Sequence, residues 1–409
     1  MQYFTKELDN GIRLLHIPTQ TITAWCGMYI HAGTRDEAES ESGIAHFFEH
    51  VLFKGTYKRS AFKILSAIDN SGGELNAYTT KEETFVYASF LRENLKKAVD
   101  IVCDIVFHST FPEKELEKER GVILDEIQSY KDDPVESLFD NLDAHFFKNH
   151  PLSRPILGNE ESVKKIGRNE LIRFVQEHYH TNQMIFCTVG NFTAEKAWKY
   201  AEDSLKQIPP SIGSLNRTLF KPNAPFHLQE YSDVHSAYYV LATEGPSRKD
   251  THKMPLILLN NMLGGPSLTS ILNLSLREKN GLTYSVESQI HSFSDTGMMH
   301  IFLNTEKSKL NKAIQIVEKE LKKLATQQLS SNKLHQAKKQ LKGALALSDD
   351  NKEKIIHYAP RSILHSGKIQ SISEIMQEID AVSASEILEA SNRYYHPDIW
   401  SSYQLLPND

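Results

Sequence analysis

The chain repeats itself once, at the scale of half its length, and that duplication limits the fold more than any single motif does. In the first half a strand-like run at 24–32 leads through Gly33-Thr34-Arg35-Asp36 into an apolar helix over 43–53. In the second half residues 237–243 lead through Glu244-Gly245-Pro246 into a similar helix over 254–263. Each half continues with a glycine-marked turn and a β-rich stretch (74–90 and 284–304) and then an amphipathic helix (95–107 and 310–324). A further helix follows in each (113–131 and 332–347), and 170–180 matches 386–396, setting His180 against His396. Between the halves the cluster Gln207-Ile208-Pro209-Pro210-Ser211-Ile212-Gly213-Ser214 has the composition of a linker. It implies an N-terminal domain over 1–210 and a duplicated C-terminal domain over 220–409. Strands and helices come in runs rather than in strict alternation, so the expected class is α+β, with each domain a largely antiparallel sheet packed with helices.

Composition excludes several alternatives. Lys plus Arg number 46 against 52 Asp plus Glu, a net charge of -6 with no dense basic block, which argues against nucleic acid as a partner. The three cysteines, Cys26, Cys103 and Cys187, lie far apart in apolar runs, so they are expected as buried thiols rather than a disulfide framework. The first 16 residues alternate and carry an Asn10-Gly11 hairpin signal in place of an apolar leader, and no run approaches the roughly 18 apolar residues of a membrane span. A cytoplasmic protein without membrane contact is expected.

The chemistry concentrates at His46-Phe47-Phe48-Glu49-His50. On a helix, residues four apart share a face, so His46 and His50 aim their rings at one point with Glu49 beside them. Two neutral imidazoles suit zinc; a catalytic zinc site adds a third protein ligand and an open position, where bound water reaches a pKa of about 7. Glu49 is then placed to take that water's proton and pass it to a leaving amine. A solvated helix face is the bland alternative, but Ile44, Ala45, Phe47, Phe48, Val51, Leu52 and Phe53 make the segment apolar nearly all round. Three buried polar groups with no partner cost several kcal/mol, and a metal supplies the partner. The duplication agrees: the register sets His46, Glu49 and His50 against Ile257, Asn260 and Asn261.

Composition alone does not choose the third ligand from the carboxylates at 113, 115, 117, 119, 125 and 126. Setting Leu116 against Leu334 places Glu119 opposite Ala337 and Glu126 opposite Ala344, which nominates both. No Gly-x-Ser-x-Gly elbow occurs and no cysteine has an activating context, so serine and cysteine hydrolases are set aside.

The order His-x-x-Glu-His marks the inverzincins. With HFFEHVLFKGT at 46–56, GELNAYTTKEETFVY at 73–87, ERGVILDEIQ at 119–128 and REKNGLTYSV at 277–286, the sequence resembles the pitrilysin (insulinase) family of zinc peptidases. Its short members are similar to the catalytic β subunit of the mitochondrial processing peptidase, and the resemblance spans essentially the whole chain. It implies a processing-peptidase-like fold and one Zn2+ per chain, held by His46, His50 and Glu126, with Glu119 supporting the site. It implies also that peptide substrate adds as a strand along Asn76 and Ala77, and that Arg277 and Tyr284 of the C-terminal domain hold substrate and stabilise the oxyanion. The loop Gly264-Gly265-Pro266-Ser267-Leu268-Thr269-Ser270 departs from the family's Ser-Ser-Arg form. The expected assembly is a homodimer in which each zinc site is completed by Arg277 and Tyr284 of the other subunit. The competing expectation is a non-catalytic, processing-peptidase-like scaffold subunit, against which intact His46, Glu49, His50 and Glu126 weigh.

Overall fold

The structure, a computed structural model, describes residues 1–250 and 253–408. Its strands are β1 (Phe4–Glu7), β2 (Arg13–Pro18), β3 (Thr23–Ile30), β4 (Glu74–Thr79), β5 (Thr84–Leu91), β6 (Met184–Gly190), β7 (His227–Ser232), β8 (Ala237–Glu244), β9 (Val286–Ser292), β10 (Gly297–Thr305) and β11 (Ser401–Pro407). The helices of the first half are α1 (Ile44–Val51), α2 (Ala61–Asp69), α3 (Leu95–His108), α4 (Glu113–Asp132), α5 (Pro134–Phe146), α6 (Glu160–Lys165), α7 (Arg168–His178) and α8 (Ala194–Leu205). Those of the second are α9 (Lys253–Gly264), α10 (Leu310–Thr326), α11 (Ser331–Asp349), α12 (Glu353–Ser366), α13 (Ile372–Ala381) and α14 (Ala384–Tyr394). The element order expected from the duplication is present in both halves, including the pairs α1 with α9, α3 with α10, α4 with α11 and α7 with α14.

The chain folds as two units, each built on one sheet. The first sheet has six strands in the order β1-β2-β6-β3-β5-β4, the second five in the order β7-β11-β8-β10-β9. Each is antiparallel except for one parallel pair, β2 with β6 and β7 with β11. Unit 1 comprises Met1–Ser129, Arg154–Thr218 and Asp349–Gln370; unit 2 comprises Tyr130–Ser153, Leu219–Ser348 and Ser371–Asp409. The α+β class with mixed sheets packed by helices is therefore the observed one.

In unit 1, β3 and β6 are apolar along almost their whole length because both sheet faces are covered. One face carries α3 and α8. The other is covered by α12, a helix from the second half of the sequence, through Ile355, Ile356, Ala359 and Ile363 against Leu15, Ile17, Tyr29, Phe85, Ile185 and Val189. Each of those isoleucines withdraws a side chain worth roughly 1.5–3 kcal/mol from water. Unit 2 receives α5 from the first half in the same manner: Leu138, Leu142 and Phe146 pack on Val240, Ala242, Phe302, Tyr403 and Leu405. Its other face is closed by α9, α10 and α14 around Leu256, Leu259, Ile301, Leu303, Val317 and Ile387. Cys26, Cys103 and Cys187 are buried free thiols, as expected. Among the described residues no helix is long and apolar enough to cross a membrane.

Candidate metal centre

The short helix α1 is positioned by its N-terminal approach rather than by a side-chain cap of its own. Gly43 sits at φ +93°, and a Cβ there would lie 2.5 Å from the Leu157 carbonyl oxygen, so only glycine lets the two backbones approach. At this end the N–H groups of Gly43 and Ala45 both donate to the Glu37 carboxylate at 2.9 Å. Burial raises the Glu37 carboxyl, while the two N–H donors and the charge of Arg154 pull it back. From that anchor Ile44, Ala45, Phe47, Phe48 and Val51 pack with no exposure. The polar residues His46, Glu49 and His50 occupy the remaining face.

Helix α4 supplies the carboxylates. Its buried stripe runs Leu116, Glu119, Ile123 and Ile127, a helical spacing in which a charged residue sits where a hydrophobic one is normally found. Glu126 lies on the same side, half-buried. The stripe brings Glu126 Oε2 to 3.4 Å from His50 Nε2 and 3.8 Å from His46 Nε2. Glu119 Oε2 lies 3.2 Å from His50 Nδ1, while its Oε1 receives Lys54 Nζ at 2.7 Å. Among the described residues His46, His50 and Glu126 form the one group whose ligand atoms all lie within 4.8 Å of one another.

This group fits a zinc-sized cation. Tetrahedral ligands about 2.0–2.2 Å from zinc stand roughly 3.3–3.6 Å apart, close to the 3.4 and 3.8 Å that separate Glu126 from the two rings. The donor chemistry fits directly at His46 and Glu126, while a metal at His50 would have to displace a proton. Burial, and then the neighbouring His50, lowers His46 to about 4, so its ring is neutral at pH 7 and has a lone pair to give. Burial alone would lower His50 as well, but hydrogen bonds with Glu126 and Glu119 outweigh it and leave the ring above its ordinary value. Glu126 is held low, first by its bond with His50, which keeps it a carboxylate.

The family description "Insulinase (Peptidase family M16)" matches residues 14–160, and "Peptidase M16 inactive domain" matches residues 165–341. An uncharacterized zinc protease, YmxG, of Bacillus subtilis is 32% identical over 95% of both chains. The chain belongs to the insulinase (M16) peptidase family. The mouse mitochondrial-processing peptidase subunit beta is 32% identical over 95% of this chain and 81% of that relative. A protease from Helicobacter pylori has the same fold, with a TM-score of 0.91 at 19% identity over 99% of this chain and 100% of that one.

The other residues singled out by the M16 resemblance lie as follows. Asn76 and Ala77 are on β4, the edge strand of the first sheet, paired to Tyr87 and Val86 on one side only. Asn76 is exposed and Ala77 half-buried. Thr79, at the end of the same strand, is the hydrogen-bonding neighbour of Glu49; burial lifts the Glu49 carboxyl above the usual carboxylate range and Thr79 pulls it partly back. Arg277 lies in unit 2, in the π-helical turn Asn273–Glu278, with Glu278 as a distant ionic neighbour at 4.0 Å. Tyr284 follows in the loop before β9 and is 90% exposed. A tyrosine ring left in water gains nothing for the fold.

Sequence reading missed three contributors to this centre: Glu37, Thr79 and Lys54. A signal for Lys54 existed, since His46, His50 and Lys54 follow one another at intervals of four. Glu37 and Thr79 act through tertiary hydrogen bonds that no local pattern announces.

Proposed function

We propose that this M16 chain is a zinc-dependent endopeptidase, with the catalytic half in the first domain and a substrate-holding half in the second. The convergence of two imidazole Nε2 atoms and the Glu126 carboxylate is the observation that carries this reading. The name zinc protease borne by the Bacillus subtilis relative favours zinc as the cation. His46, His50 and Glu126 would hold one zinc ion per chain, which would supply Lewis-acid activation of water for peptide hydrolysis at neutral pH.

The protein's own groups do the rest. Glu49 takes a proton from the attacking water and returns it to the leaving amine; a carboxyl lifted by burial suits that shuttle. Glu119 holds His50 Nδ1 and so fixes the ring that Glu126 faces. The open edge of β4 offers unpaired backbone groups around Asn76 and Ala77, along which a peptide can lie as an added strand. Arg277 and Tyr284, both exposed, hold the substrate and donate to the oxyanion. We assign them to the partner subunit's site in a cytoplasmic homodimer, so that each subunit completes the other.

Two measurements test this. Purified protein should carry one zinc and cleave peptides from a mixture in a chelator-sensitive way. Glu49→Gln should lower kcat by about 10²–10⁴-fold while zinc stays bound. Stoichiometric zinc with no turnover of any peptide would favour the scaffold alternative. Mixing Glu49→Gln protein with an Arg277→Ala/Tyr284→Phe variant should restore activity after subunit exchange, and proven exchange without recovery would exclude sharing.

A further inference from the structure

The metal centre is built as a zigzag between two helical faces, and one member of it has no assigned task. His46 and His50 stand on α1, Lys54 on the tight turn Leu52–Lys54 that continues it, and Glu126 and Glu119 face them from α4. The contacts alternate down the row: His46 with Glu126, Glu126 with His50, His50 with Glu119, Glu119 with Lys54. We propose that Lys54 is a positioning residue of this centre, acting through Glu119 on His50, which rests on the metal-binding reading above.

The geometry of Glu119 carries the proposal. Its two carboxylate oxygens are divided: Oε2 faces His50 Nδ1 at 3.2 Å and Oε1 takes the Lys54 ammonium at 2.7 Å. Glu119 is only 8% exposed, so water does not replace a lost partner easily. With Oε1 anchored, the carboxylate plane is fixed, Oε2 accepts the Nδ1–H of His50, and the Nε2 lone pair is turned toward the Glu126 side. Without the ammonium, Glu119 is free to rotate and His50 can adopt the other tautomer or turn its ring. The sequence register of the second half supports the assignment: where His46, His50, Glu119 and Glu126 are replaced by Ile257, Asn261, Ala337 and Ala344, the position of Lys54 is Gly265. An ammonium serving the fold alone has no reason to vanish together with the metal set.

The test is zinc affinity, measured by competition with a chromophoric chelator on the full-length chain, beside circular dichroism of each metal-free variant. Lys54→Met should weaken zinc binding by about 10-fold, and Lys54→Arg should restore it to within about 3-fold of wild type because the charge returns. In a Glu119→Gln background Lys54→Met should change affinity by less than about 2-fold, since a residue acting through Glu119 has nothing left to act on. Cobalt-loaded protein gives a second readout: Lys54→Met should shift its visible absorption bands as His50 reorients. Wild-type affinity and an unshifted cobalt spectrum in Lys54→Met, or equal weakening in both backgrounds, would overturn the proposal. Should Lys54→Met fold poorly, Lys54→Gln is read by the same criteria. Failure of the metal-binding reading is distinguishable, because the wild-type titration itself would then show no zinc bound.

Discussion

Helix α1 and helix α9 hold the same place in their respective halves, each following the long strand that precedes it, yet they solve opposite problems. In α1 the polar face carries His46, Glu49 and His50 toward the carboxylates of α4. In α9 the matching positions are Ile257, which packs against the core, Asn260, whose amide donates to the Ser288 carbonyl on β9 at 2.9 Å, and Asn261. On α11 the counterparts of Glu119 and Glu126 are Ala337, buried in the same core, and Ala344. The scaffold therefore stands without the ionisable set, and the set in unit 1 is carried at a cost in buried charge rather than for packing.

The comparison is broken or sharpened most strongly at Glu126, the third ligand we propose. At zinc concentrations about 1,000 times the dissociation constant, binding stabilises the native state by about 4 kcal/mol. Glu126→Ala should abolish that zinc-dependent rise in thermal midpoint, whereas Ala344→Glu, its mirror on an exposed position of α11, should leave midpoint and zinc content unchanged within about 0.5 kcal/mol. A zinc response that survives Glu126→Ala would show that the helix pair does not hold the ion.

The support beneath α1 comes next. Glu37→Gln turns one acceptor oxygen into an amide that faces a backbone N–H, so the metal-free protein should lose about 1–3 kcal/mol in chemical denaturation. Unchanged stability would mean that α1 is held by its apolar packing alone.

The third test falls on unit 2, whose interior is not free of polar cost. His300 is buried on β10 with neither ring nitrogen hydrogen-bonded among the described residues, and burial, followed by the neighbouring His291, lowers it to about 3. Its folded value lies below its unfolded value of about 6.5, so the unfolded chain takes up the proton first. Stability is full above pH 6.5 and falls as the pH descends toward 3. His300→Leu should therefore gain relative to wild type by up to about 2 kcal/mol at pH 5 compared with pH 8. A difference independent of pH would contradict the buried neutral ring.

Much of this was legible in the residues because it is local. The apolar ring around His46 and His50, the interval of four, and the Asn10-Gly11 turn depend on neighbours within one helix or one hairpin, and the structure has a buried helix and a β1–β2 hairpin at those places. The three cysteines in apolar runs are buried for the same reason. The sheet orders, by contrast, needed the tertiary structure, since nothing in the sequence states that β6 returns to lie between β2 and β3.

What the sequence determined by itself was the duplicated order of strands and helices and a buried helical turn with two imidazoles four residues apart, because hydrophobic periodicity and side-chain spacing are written along the chain. Only the tertiary structure decided how Glu119 and Glu126, already nominated by the internal register, divide their contacts between His46 and His50, that Lys54 shares Glu119 with His50, and that α5 and α12 each cover a sheet built mainly from the other half of the sequence. Those pairings join residues tens to hundreds of positions apart, and they are settled by which buried faces close on each other, a quantity that no local pattern encodes.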